Sequence, residues 1–138
     1  MNRKCVIGTK RMTDARQIRV VIDLPPDELK PNARPHHFAK AKAKKWYRSM
    51  SNIAARELLN ATMPWKEAEI RVAYHHKTRR FCDPDNILAS LKSAFDGLVD
   101  AGVLADDRDV TYPPVVREHD KENPRVELTV ICLDGDDA

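Results

Sequence analysis

Between His36 and Met63 the chain contains neither glycine nor proline, and Pro35 and Pro64 close the stretch on either side. A run so free of breakers, and so rich in Ala, Lys, Arg, Leu and Met, is predicted to form a helix. Within it Trp46, Met50, Ile53, Ala54 and Leu58 recur at spacings of three and four, which predicts an apolar stripe with a basic flank facing solvent. A second helix is predicted over Asn86 to Ala101. Its stripe is Ile87, Leu91, Ala94, Phe95 and Leu98, and Gly102 stands where a left-handed C-terminal cap belongs.

Strands are predicted around these helices. Gln17–Leu24 places Ile18, Val20, Ile22 and Leu24 on one face and ends at Pro25-Pro26; Ala68–His75 turns Ile70, Val72 and Tyr74 inward. Two more follow at Val110–Arg117 and Arg125–Leu133, the first interrupted by Pro113-Pro114 and therefore bulged or at an edge. The order β-α-β-α-β-β predicts an α+β fold, a single two-layer domain with two main helices on a small mixed sheet.

At 138 residues the chain has the length of one domain. Residues 1–16 lack periodicity and read as an N-terminal extension, 17–133 as the domain, and 134–138 as an acidic tail. No stretch approaches the ~18 apolar residues of a membrane span, and the N-terminus has no apolar run of signal-peptide length. The three cysteines, Cys5, Cys82 and Cys132, are odd in number and far apart. Without a C-x-x-C, they support neither a disulfide framework nor a zinc ribbon, and a cytoplasmic setting is expected.

Charge is segregated along the chain. The net charge is +3, or +6 without Asp134, Asp136 and Asp137 of the tail. From Lys30 to Arg56 there is no acid, while Lys30, Arg34, Lys40, Lys42, Lys44, Lys45, Arg48 and Arg56 are basic. Lys77, Arg79 and Arg80 form a second cluster, and acids gather at Asp83, Asp85, Asp96, Asp100, Asp106, Asp107 and Asp109. A basic surface beside carboxylates fits a polyanion held electrostatically with a cation bound between; a solvated mixed-charge face is the plainer reading of any one run.

The chemistry concentrates at Phe81-Cys82-Asp83-Pro84-Asp85-Asn86-Ile87 and at Asp106-Asp107. Pro84 biases Asp83 to an extended conformation at a strand-to-helix corner, so Asp83 and Asp85 are able to converge. A chain that folds back would add Asp106 or Asp107, and three carboxylates are hard oxygen ligands for Mg²⁺ or Mn²⁺. Such a centre would serve phosphodiester hydrolysis, with a nearby lysine neutralising transition-state charge. Taken singly, Asp85 reads as a helix N-cap, Asp83 as a turn former and Asp106-Asp107 as an acidic turn.

These residues resemble the RusA-type Holliday junction resolvases, particularly phage members. The resemblance lies in Arg79-Arg80-Phe81-Cys82-Asp83-Pro84-Asp85-Asn86, in the helix Lys92-Ser93-Ala94-Phe95-Asp96-Gly97-Leu98-Val99-Asp100-Ala101-Gly102, and in the pair Asp106-Asp107. Pro31-Asn32-Ala33-Arg34 before a basic helix is also similar. The resemblance implies a homodimeric, Mg²⁺-dependent endonuclease that makes paired, symmetric nicks in four-way DNA junctions. It implies Asp83, Asp85 and Asp107 as metal ligands, with Asp106 a rival to Asp107, and Lys92 as the essential lysine. In the compact family pattern that lysine follows the second aspartate by four positions; here Ala89 stands there and Lys92 follows by seven. Lys77, Arg79 or Arg80 is the alternative.

The expected DNA-binding residues are Lys40, Lys42, Lys44, Lys45, Arg48, Arg79 and Arg80. The adjacent pairs His36-His37 and His75-His76 read as hydrogen-bonded or solvent-facing rather than metal-binding, with His36 a candidate phosphate contact. Trp46 reads as core rather than as a base-stacking residue, and Cys82 as a small apolar filler. Two rival functions stay open: a DNA-binding module without catalysis, and a metal-dependent nuclease acting on flaps or single strands.

Overall fold

A computed structural model describes residues 15–135. Most of the N-terminal extension, with Cys5, and the end of the acidic tail lie outside the described residues. The elements are β1 (Gln17–Ile22), a 3₁₀ turn (Asp27–Leu29), α1 (His37–Arg56), β2 (Ala68–His76), α2 (Pro84–Ser90) and α3 (Lys92–Ala101). Then come β3 (Val110–Thr111), β4 (Val116–His119) and β5 (Arg125–Cys132). Among the described residues the fold is α+β, with a mixed five-stranded sheet and three helices.

The sheet runs β1-β5-β2, antiparallel throughout, and the far edge of β2 pairs in parallel with β3 at its start and β4 at its end. Period-two alternation sends Ile18, Val20 and Ile22, then Ile70, Val72 and Tyr74, then Val126, Leu128 and Val130 to one face, where all are buried. The proline-interrupted segment does split, into β3 and β4, and both parts lie at the edge.

The first helix departs from expectation in length and in rotation. It stops at Arg56 rather than near Met63, because Asn60 builds a turn, its side-chain oxygen accepting from the Thr62 amide and hydroxyl. That turn delivers Trp65, fully buried, to a backbone exchange with Val103 and Ala105. The buried line along α1 is Ala43, Tyr47, Ser51 and Ala55, while Trp46 is 48% and Ile53 60% exposed. Close helix packing explains the rotation. A Cβ on Gly97 of α3 would fall inside contact of the Arg48 carbonyl oxygen and 2.9 Å from Ser51 Cβ, so small residues must face α3. Tyr47 is the one large residue on this line, and its hydroxyl is satisfied by the Asp23 carbonyl at 2.7 Å.

The second predicted helix is two. It begins at Pro84, where proline is favoured, and breaks at Leu91 (φ −98°, ψ 3°). Ser90 bends it there by donating its hydroxyl back to the Ile87 carbonyl at 2.8 Å. The predicted stripe is buried throughout, and Gly102 adopts the expected left-handed cap at φ 98°. The start of the acidic tail is tied down: Asp134 accepts from the Lys66 and Glu67 amides, and the Cys132 amide donates to the Arg16 carbonyl.

Candidate functional site

The site grows from the end of β2. His76 is buried, and its ring links two elements: Nε2 accepts from the Cys82 amide at 3.0 Å, so Nδ1 carries the proton and donates to the Glu118 carbonyl on β4 at 3.2 Å. Burial, the largest cause, lowers the His76 pKa below the ordinary histidine value, and the Arg117 charge adds to the effect. Arg117 also donates to the Cys82 carbonyl at 3.2 Å. Both polar groups of Cys82, which precedes the acidic pair, are therefore held from the sheet edge. The His76 ring also stacks on Phe81, with centroids 4.4 Å apart.

That anchoring aims Asp83 and Asp85. Asp83 is extended (φ −67°, ψ 147°) at the cap position of α2, and its carbonyl accepts from the Ile87 amide, yet its side chain makes no capping bond. Asp85 lies inside the first turn rather than at the cap, and its carboxylate accepts from the Asn86 amide at 3.0 Å. Both are exposed. The helix-cap reading thus fails for Asp85, and the cap position falls to Asp83, read from sequence as a turn former, without a side-chain capping bond.

Asp107 belongs to a second group, further along. Its carboxylate meets Lys92 Nζ at 2.7 Å, and Lys92 also meets Asp96 at 3.0 Å. The hydrogen bond from Lys92 holds the Asp107 pKa below the usual carboxylate range, and the same bond raises that of Lys92. Asp106 accepts from the Arg108 amide at 3.0 Å, as a turn former does. Lys92 therefore reaches the third carboxylate of the predicted set. Among the described residues no three His, Cys, Asp or Glu side chains form a group able to hold a metal. The two carboxylates at the corner have the donor chemistry for a hard dication; the expected third is engaged with Lys92.

Beside a small pocket of about 190 Å³ lined by Arg48, Asp96, Asp106 and Asp107, two larger grooves flank these groups. One, of about 590 Å³, runs between the 27–33 loop, the end of β2 and α2, and takes in Lys30, Arg80, Phe81, Asp83 and Asn86. The second, of about 320 Å³, shares Lys30, Pro31 and Ser90 with the first and adds Lys40, Lys44, Lys92 and Asp96. Of the predicted DNA contacts, Lys40, Lys44 and Arg80 line grooves, while Lys42, Lys45 and Arg79 are exposed elsewhere. Arg48 is committed to a bidentate pair with Asp100 on α3, at 2.5 and 2.8 Å. His36 accepts from the Phe38 amide as the cap of α1. Sequence reasoning missed the anchoring roles of His76 and Arg117: the Cys82 amide returns to His76 across the loop after β2, while the Glu118 carbonyl and the Arg117 side chain are brought there by β2–β4 pairing.

Cys82 and Cys132 are free thiols. Among the described residues no helix is long and apolar enough to cross a membrane. No protein-family model matches the chain. A protein of Xylella fastidiosa (strain Temecula1 / ATCC 700964), named only as an uncharacterized protein, is 30% identical over 114 residues, which is 80% of this chain and 71% of that protein.

Proposed function

The chain belongs to the same family as that Xylella fastidiosa protein, and we propose that it is a metal-dependent DNA endonuclease that acts on four-way junctions. The observation that carries this reading is the Asp83 carboxylate, which stands at a helix start without capping it, beside Asp85 and at the rim of a groove bearing Lys30 and Arg80. The resemblance to RusA-type resolvases supports the same reading through the Asp83-Pro84-Asp85-Asn86 motif and the Asp106-Asp107 pair.

In this proposal Asp83 and Asp85 hold Mg²⁺, or Mn²⁺ in its place. When bound, such an ion supplies polarisation of a phosphoryl oxygen and a lowered pKa for an attacking water. Lys92 positions Asp107, and Lys30, Lys40, Lys44 and Arg80 seat the phosphate backbone without reading sequence. A homodimer would present two such sites, as cutting two opposed strands requires. The cytoplasm, where chromosomal and phage DNA recombine, is the proposed setting.

The experiment compares synthetic four-way, flap and duplex DNA, with and without Mg²⁺, using the wild type and Asp83→Asn. Mg²⁺-dependent nicking of the junction is expected, with the variant still binding and no longer cutting. Junction binding indifferent to Mg²⁺ and to Asp83 would identify a non-catalytic DNA-binding module. Equal cutting of flaps would identify a nuclease of other specificity.

A further inference from the structure

We infer that the larger groove is a subsite for one unstacked nucleobase, with Phe81 as its stacking platform. The inference rests on the reading of DNA as the ligand and adds to it a place where a base is held.

Phe81 is 39% exposed although it is a large aromatic residue. Its ring lies nearly parallel to that of His76, 4.4 Å away with 17° between planes, and Tyr74 sits against His76 in turn at 4.5 Å. One side of Phe81 is therefore braced by buried rings, while the residue lines the groove. A braced ring that keeps exposed area is a surface on which any base stacks, since every base has a π-face. His76 can hold it without mobility, because both ring nitrogens are bonded.

The rest of the groove argues for a nucleotide rather than a neutral apolar guest. Arg80 lines it as a cation suited to a phosphate, Lys30 lies beside it in an exposed pair with Asp27 at 2.9 Å, and Asn86 adds an amide that both donates and accepts. Its volume of about 590 Å³ is in the range of sites for small organic ligands. The lysine-lined groove continues from it through Lys30, Pro31 and Ser90, so a strand seated along Lys40 and Lys44 would lead into it. Asp83 lines the same groove as Phe81, two residues along the chain, which places the captured base near the acidic corner.

The test uses the full chain and a four-way junction carrying 2-aminopurine at successive positions around the branch point, without divalent cation. At one position the wild type is expected to quench the fluorescence several-fold. Phe81→Leu should abolish that quenching and weaken binding on the order of tenfold, while Phe81→Trp should retain both. Circular dichroism of the two variants checks that the fold is intact. Binding with no quenching at any position, or quenching that survives Phe81→Leu, would overturn the subsite. Adding Mg²⁺ separates the two readings. Cutting without Phe81-dependent quenching overturns the subsite alone. Phe81-dependent quenching without cutting overturns the nuclease reading and upholds the subsite.

Discussion

At the end of β2 both nitrogens of His76 are committed inside the protein, one to the Glu118 carbonyl and the other to the Cys82 amide. The second bond exists only while Nε2 is unprotonated, because an imidazolium has no acceptor. Burial lowers the folded pKa below 6.5, the ordinary value that the unfolded chain retains. As pH falls from about 6.5, the unfolded state takes up a proton that the folded state refuses, so stability is lost on the acidic side and is complete above that value. Chemical denaturation between pH 7.5 and 5 should show this loss in the wild type and a flatter profile in His76→Gln, whose amide oxygen can accept from Cys82. His76→Leu should cost about 1–3 kcal/mol at neutral pH, since it leaves the Cys82 amide unpaired. Equal pH profiles in the wild type and the glutamine variant would exclude this role for His76.

At the level of elements, the contact between α1 and α3 is decided by what is small. Gly97 lies so close to the α1 backbone that a methyl group would meet the Arg48 carbonyl and Ser51, and backbone cannot move aside as a flexible side chain can. Gly97→Ala should therefore destabilise the protein by about 1–3 kcal/mol despite alanine's better helix propensity, read as a lower denaturation midpoint with an unchanged slope. The same closeness explains why the rotation of α1 was not legible in its sequence. Periodicity weights large apolar residues, and it selected Trp46 and Ile53; the helix instead buries the line Ala43, Tyr47, Ser51 and Ala55, which brings small Ser51 against Gly97 of α3 where there is no room for a larger side chain. Where burial involves a sheet face, the pattern was fully readable, as at Ile70, Val72 and Tyr74. In the same way, Asp83-Pro84-Asp85 was legible as a corner from proline's restrictions. The attachment of that corner to the sheet was not, because it runs through backbone groups of Cys82 and Glu118 that carry no side-chain signature.

Across the whole molecule, the basic residues of the acid-free stretch from Lys30 to Arg56 differ in what they face, and Lys40, Lys44 and Arg48 show the contrast. Lys40 and Lys44 line the smaller groove, on the same side as Lys92. Arg48, one turn beyond Lys44, is turned onto Asp100, which holds its pKa above the ordinary arginine value through a side-chain hydrogen bond. If the grooves seat phosphates, each groove lysine releases counterions on binding, and log affinity falls linearly with log salt. Removing Lys40 and Lys44 together should lower that slope by about 2 and weaken binding alike across sequences, with no change in thermal stability because both are exposed. Arg48→Ala should leave the slope nearly unaltered and reduce stability instead, by less than about 1 kcal/mol given the exposure of the pair. Fluorescence-anisotropy titrations from 50 to about 200 mM salt, the range over which such contacts dominate, would measure both slopes. An Arg48→Ala slope as reduced as that of the double lysine variant would mean that the Asp100 pair opens on binding and that the groove is wider than its lysine-lined part.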